Sequence, residues 1–275
     1  MKPIKLKSLL KEYLADENDV VENYVPIIKR DCPTAVDEFL HEAKKKRFYR
    51  GIASKKPVIY HDPRNEFRKS KQSNNISLLY SGINPDWKDI PKRYNSVVFG
   101  SDWHIANAYG SGVYLVFVTG NNPKIAFGTE DDNYDNYKKG FNATGCGIDT
   151  TVMLDSQLER LINIFVSNNI NLASIEDPIE LEEILDKLDE KLQRTEEKNI
   201  ALSMNFYNSI AMAQSMKRLG IKKFLRTIFD PKINNIQTKP LADFDKHLRV
   251  EIWTDVPVYL VLDRYEKQLE KLLKL

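Results

Sequence analysis

Trp87-Lys-Asp-Ile-Pro-Lys-Arg-Tyr-Asn-Ser-Val-Val-Phe-Gly-Ser-Asp-Trp-His-Ile-Ala-Asn-Ala-Tyr-Gly110 is the stretch on which the fold is read. It opens as a loop around Pro91, passes through the apolar run Ser96-Val-Val-Phe99, turns at Gly100-Ser-Asp102 and continues with helical spacing. Ser101 or Asp102 can cap that helix, because a side-chain oxygen there accepts one of the first unpaired N–H groups. Ala106 and Tyr109 are expected on its core face, and Gly110 at its end.

Outward from this segment the texture is of two kinds. Short apolar runs between turn residues predict strands at Pro57-Val-Ile-Tyr60, Ser77-Leu-Leu-Tyr80, Ser96–Phe99, Val113-Tyr-Leu-Val-Phe-Val118 and Lys124-Ile-Ala-Phe127. The same signal returns at Leu248-Arg-Val-Glu-Ile-Trp253 and Val256-Pro-Val-Tyr-Leu-Val261. Helical spacing marks the beginning of the chain, with Leu9, Leu10, Tyr13 and Leu14, then Val36, Phe39, Leu40 and Ala43. It marks the middle too, most clearly in Leu181, Ile184, Leu185, Leu188 and Leu192, with Glu183/Lys187 and Glu190/Arg194 four apart. A charged amphipathic helix with Leu269, Leu272 and Leu273 closes the chain.

Strands therefore bracket a helical block, and the expected class is α+β. The division expected is a helical lead-in over 1–46, a first part of the core over 47–150, a helical insertion over 151–240, and last core strands with a C-terminal helix over 241–275.

With 275 residues and 42% hydrophobic composition, the chain can bury a substantial core unaided. Cys32 and Cys146 form neither a disulfide framework nor a metal-ligand spacing. No apolar stretch reaches the roughly 20 residues of a membrane span, so a soluble, cytoplasmic protein with no membrane partner is expected. The 41 basic and 39 acidic residues give no net pull toward nucleic acid. Two local basic clusters, Lys44–Arg47 and Arg64–Lys71, stand out; the first reads as the solvated end of a helix. His41, His61, His104 and His247 lie in no nucleophile-elbow context, and His104 reads as a helix-surface residue.

Three features carry chemistry. In Phe48-Tyr-Arg-Gly51, Arg50 ends a short aromatic strand and Gly51 permits close approach of another chain or a ligand. Arginine clamps a diphosphate well, its planar fork giving two parallel charge-assisted hydrogen bonds. The second feature is the hydroxyl-bearing strand and turn with Ser96 and Ser101. The third is Glu251, a carboxylate within the otherwise apolar segment Leu248–Trp253.

In that order, Tyr-Arg-Gly, serine-bearing strand and late strand glutamate resemble the Arg-Ser-Glu arrangement of the ADP-ribosyltransferase superfamily. Asn74-Asn75, Trp87, Ile90-Pro-Lys-Arg93, Ser96, Ala106, Tyr109-Gly110, Tyr114–Phe117 and Asp131-Asp132 resemble a block of bacteriophage proteins with ADP-ribosyltransferase-like folds. Glu251-Ile-Trp253 before Pro257 resembles their C-terminal strand pair. The resemblance covers about 46–137 and 245–262. It implies a split β-sandwich and a mono-ADP-ribosyltransferase, phage-encoded and working in the host cytoplasm, that cleaves NAD at the nicotinamide–ribose bond. The acceptor it implies is a macromolecule, a protein before a nucleic acid. Arg50 and Gly51 would bind NAD, Trp103 or Tyr109 would stack on the nicotinamide, Ser96 or Ser101 would order the site, and Glu251 would stabilise the ribosyl cation. No metal is implied. Family members that modify arginine carry an acidic or amide residue two positions before the glutamate, where this chain has Arg249. An inactive relative, an NAD glycohydrolase, and a nucleic-acid binder using Arg64, Arg68, Lys69 and Lys71 are the alternatives.

Overall fold

The computed structural model describes residues 6–41, 46–65, 72–129, 133–148, 150–175, 177–204, 209–245 and 247–275, the side chains of 6–18, 72–75, 133 and 134 excepted. Lys44, Lys45, Arg68, Lys69, Lys71, Asp131 and Asp132, like the side chains of Leu9, Leu10, Tyr13, Leu14, Asn74 and Asn75, lie outside that description. Among the described residues the chain is mixed α/β, with eleven helices and an eight-stranded antiparallel sheet.

Helices α1 (Leu6–Asp31) and α2 (Pro33–Leu40) come first, then strands β1 (Tyr49–Ile52) and β2 (Val58–His61). Helix α3 (Gln72–Ile83) precedes β3 (Val97–Gly100), α4 (Trp103–Asn107), β4 (Gly112–Val118) and β5 (Lys124–Phe127). Six helices follow: α5 (Asn133–Ala143), α6 (Thr151–Ser167), α7 (Pro178–Arg194), α8 (Glu197–Ser203), α9 (Ile210–Leu219) and α10 (Ile221–Ile228). The chain ends with β6 (Gln237–Pro240), β7 (Glu251–Thr254), β8 (Val258–Leu262) and α11 (Glu266–Lys274).

Two compact units result. The first comprises 1–64, 97–125 and 239–275, and the second 65–96 and 126–238. The helical insertion expected over 151–240 is thus part of a larger unit that also takes in α3 and α5. Ser77–Tyr80, expected as a strand, lies inside α3. The spacing explains it: Ile76, Leu79, Tyr80 and Ile83 repeat at helical intervals, and the first three are buried in the second unit's core.

The sheet order is β2-β8-β4-β1-β3-β7-β5-β6. β4 and β8 are buried along their whole length, as strands between covered neighbours should be. In the first unit Val21, Val25 and Ile28 of α1, Phe39 of α2 and Leu269 and Leu273 of α11 are buried as well, and the Phe39 ring lies 5.3 Å from Phe117. Lys46 and Arg47, expected on a solvated helix end, are drawn into this packing. Lys46 Nζ lies 2.9 Å from Glu38 and donates to the Ala242 carbonyl, and Arg47 pairs with Glu266 while its guanidinium stacks 3.7 Å over Phe39. Their stems are apolar enough to be buried once each head has an acidic partner.

In the second unit α3 and α5 to α10 close around a common core that includes Leu154, Leu181, Phe224 and Phe229. Trp87 is fully buried there and donates its indole N–H to the Phe229 carbonyl at 2.9 Å. Both cysteines are buried and unbridged, and burial pushes the Cys32 thiol up to about 12.

No helix among the described residues is long and apolar enough to cross a membrane.

Candidate functional site

Strand β1 is anchored on one side and nearly loose on the other. With β4 it pairs over its whole length, Tyr49↔Leu115, Arg50↔Tyr114, Gly51↔Val113 and Ile52↔Gly112. With β3 it pairs only at Tyr49↔Gly100. β3 in turn pairs fully with β7, from Val97↔Thr254 to Gly100↔Glu251. The sheet is therefore two four-stranded halves, β2-β8-β4-β1 and β3-β7-β5-β6, joined by one ladder pair.

The Arg50 strand, the strand leading to Ser101 and the Glu251 strand are consecutive in the sheet, in the order β1-β3-β7. Nothing local in the sequence predicts this adjacency.

The register also fixes which face each side chain leaves from. Directly opposed residues of antiparallel strands project to the same face, and successive residues alternate. Tyr49, Gly100 and Glu251 thus share one face, and Arg50 leaves from the other. The resemblance gives both residues a place at the NAD site, yet the pairing sends the Arg50 and Glu251 side chains from opposite faces of the sheet. Instead the half-buried Arg50 donates from Nη1 to the Val98 carbonyl at 2.9 Å, linking β1 to β3 just beyond their single ladder pair.

Gly51 has a structural reason to be glycine. A Cβ there would lie 1.8 Å from the Ala106 carbonyl oxygen, and one at Gly110 would lie 2.4 Å from the Ile52 carbonyl carbon. β1 and the segment of α4 thus meet backbone to backbone. Gly110, expected as a helix end, serves this approach; α4 stops at Asn107 with Ala108 as its C-cap.

Asp102, not Ser101, caps α4, its Oδ1 accepting from the N–H groups of His104 at 2.7 Å and Ile105 at 3.3 Å. Asp102 Oδ2 lies 3.5 Å from Arg249 Nε, which continues the β3–β7 register past the strand ends. Ser101 donates its hydroxyl to the Leu248 carbonyl, tying the turn after β3 to the segment before β7. Ser96 belongs to the second unit, is buried, and donates to the Arg93 carbonyl at 2.9 Å.

Of the two expected stacking residues, Trp103 is exposed and donates its indole N–H to Asp263 at 2.7 Å. Tyr109, expected on a core face, is 71% exposed. His104 is exposed, as a helix-surface histidine should be.

Tyr49, Gly100 and Asp263 were not among the residues the sequence singled out. Tyr49 had a signal in strand alternation beside Arg50, but Asp263 had none. Burial raises the Tyr49 phenol, the charge of Glu266 adds to this, and Arg47 opposes it.

Comparison with protein-family models, with curated proteins and with solved structures matched none of them to this chain.

Proposed function

We propose that the first unit is an NAD-binding scaffold of the ADP-ribosyltransferase type, a split β-sheet whose opening lies between the Arg50 strand and the strand leading to Ser101. The observation that carries this reading is the order β1-β3-β7 with a single ladder pair between β1 and β3. Three motif strands drawn from far apart in sequence are neighbours, and β1 and β3 are joined by a single ladder pair.

Breaking the bond between nicotinamide and ribose generates an oxocarbenium-like cation. A carboxylate held beside that carbon stabilises the cation as it forms, and this is the role we assign to Glu251. Arg50 takes a different role from the phosphate clamp of the sequence reading: its bond to Val98 makes it a brace across the opening. A protein acceptor completes the reading.

Titration of the full chain with NAD in a calorimeter, with mass spectrometry of a cell extract supplied with labelled NAD, tests it. Saturable binding together with labelled macromolecules is expected. Absence of NAD binding overturns the proposal.

A second reading has its own observation. Gly100, not a serine, faces Glu251, and the hydroxyls of Ser101 and Ser96 are both donated to backbone carbonyls. A relative that binds NAD without cleaving it would look like this, and in that case NAD binds while no label is transferred.

A further inference from the structure

Gly100 is the middle residue of a three-strand row. Tyr49 flanks it on β1 and Glu251 on β7, and all three face the same way. All three are also partly exposed. Gly51 and Gly110 of this unit are imposed by crowding, since a Cβ at either would run into backbone. Gly100 is different: a Cβ there would meet nothing nearer than the Val250 carbonyl oxygen at 3.7 Å. Packing does not require the glycine, so its effect is to leave the backbone of β3 bare between a phenol ring and a carboxylate.

The row has neighbours at both ends as well. The Asp102–Arg249 pair stands two residues along on one side. On the other side are Val98 and the fully buried Trp253, paired across β3 and β7. Two strand spacings separate the walls, about 10 Å between backbones, which leaves width for one flat ring.

We infer that Gly100 is the floor of a ring-binding seat, with Tyr49 as its stacking wall and Glu251 as its charged wall. The preferred occupant is a flat cationic ring, because the aromatic face and the carboxylate both attract positive charge. The identity of that ring as the pyridinium of NAD rests on the function proposed above.

Calorimetry on the full chain with NAD and, separately, with the 1-methylnicotinamide cation tests the inference. Gly100→Val fills the seat and Tyr49→Leu removes its ring, and each weakens both ligands on the order of tenfold. Tyr49→Phe keeps the ring and loses less than Tyr49→Leu. Gly100→Ala, whose added methyl has room, gives an intermediate loss and covers the case in which the valine variant fails to fold. If the wild-type chain binds NAD and these variants bind it equally well, the seat is refuted while the function proposal stands. If it binds 1-methylnicotinamide but not NAD, with loss in the variants, the seat stands and the function proposal falls. Binding of neither ligand overturns both.

Discussion

The Arg50 guanidinium and the Val98 carbonyl are 2.9 Å apart, bridging β1 and β3 beside their single ladder pair. A hydrogen bond from a charged donor in a half-buried place contributes about 2 kcal/mol. Arg50→Ala is expected to lower stability by that amount in urea denaturation, with Arg50→Lys intermediate because an ammonium lacks the planar fork. An alanine variant as stable as wild type, but with lost affinity for inorganic pyrophosphate, would restore Arg50 to the phosphate-binding role.

Glu251→Gln is expected to leave folding intact, to weaken NAD binding by a few-fold at most through the lost attraction for the pyridinium, and to reduce ADP-ribosyl transfer on the order of 100-fold or more. The substitution keeps shape and a hydrogen-bonding group, and removes a charge whose effect is greatest as the ribosyl cation forms. Single-turnover rates and a melting curve measured together check this. A variant that turns over like wild type returns Glu251 to an ordinary strand position.

Two glycines should respond very differently to the same change. Gly51→Ala places a methyl 1.8 Å from the Ala106 carbonyl oxygen, so about 3 kcal/mol or more of stability is lost. Gly100→Ala, with 3.7 Å of clearance, changes stability by less than about 1 kcal/mol. Thermal denaturation of the pair is the measurement, and equal effects would contradict the packing described for β1 and α4.

In the second unit Arg226 grips Asp86 with two hydrogen bonds, at 2.7 and 2.8 Å. The hydrogen bonds from Arg226 hold the Asp86 carboxyl below its ordinary value of 3.8, against the opposing effect of burial. The unfolded chain therefore takes up this proton first as the pH falls. The stabilisation is whole above about pH 5 and is lost as the pH drops through the folded-state value. Because Arg226 is half exposed, solvent screening limits the pair to about 0.5 to 1 kcal/mol. Arg226→Met should cost that much at pH 7 and nothing near pH 2, in denaturation curves at the two pH values.

The runs that read as strands at 57–60, 96–99, 113–118, 124–127 and 256–261 overlap five observed strands, because buried strands write themselves as short apolar runs. The run at 77–80 failed since four residues are barely one helical turn, too short to show a period. The polar α5 carried too few apolar residues to show one. In the candidate site the motif residues were legible singly, but their faces were not. Face depends on pairing, and β1, β3 and β7 meet across some 200 residues of chain. Asp102 as cap followed from local chemistry, whereas the brace at Arg50 and the bare floor at Gly100 depend on a register that only the assembled sheet contains.

The division of the sheet along the chain sets an order of events during synthesis. β4 ends at Val118, yet its partner β8 begins only at Val258. At about 5 to 20 residues per second, the ribosome takes on the order of 7 to 30 seconds to deliver the missing strand. Throughout that interval β4 is paired with β1 alone, and its other, apolar edge is open to any strand nearby. The helical unit is complete once residue 238 has emerged and can close first. A chain stalled between residues 238 and 258 should therefore be half folded, with protease-resistant helices and an aggregation-prone sheet edge, and that edge is where a chaperone would be caught holding it.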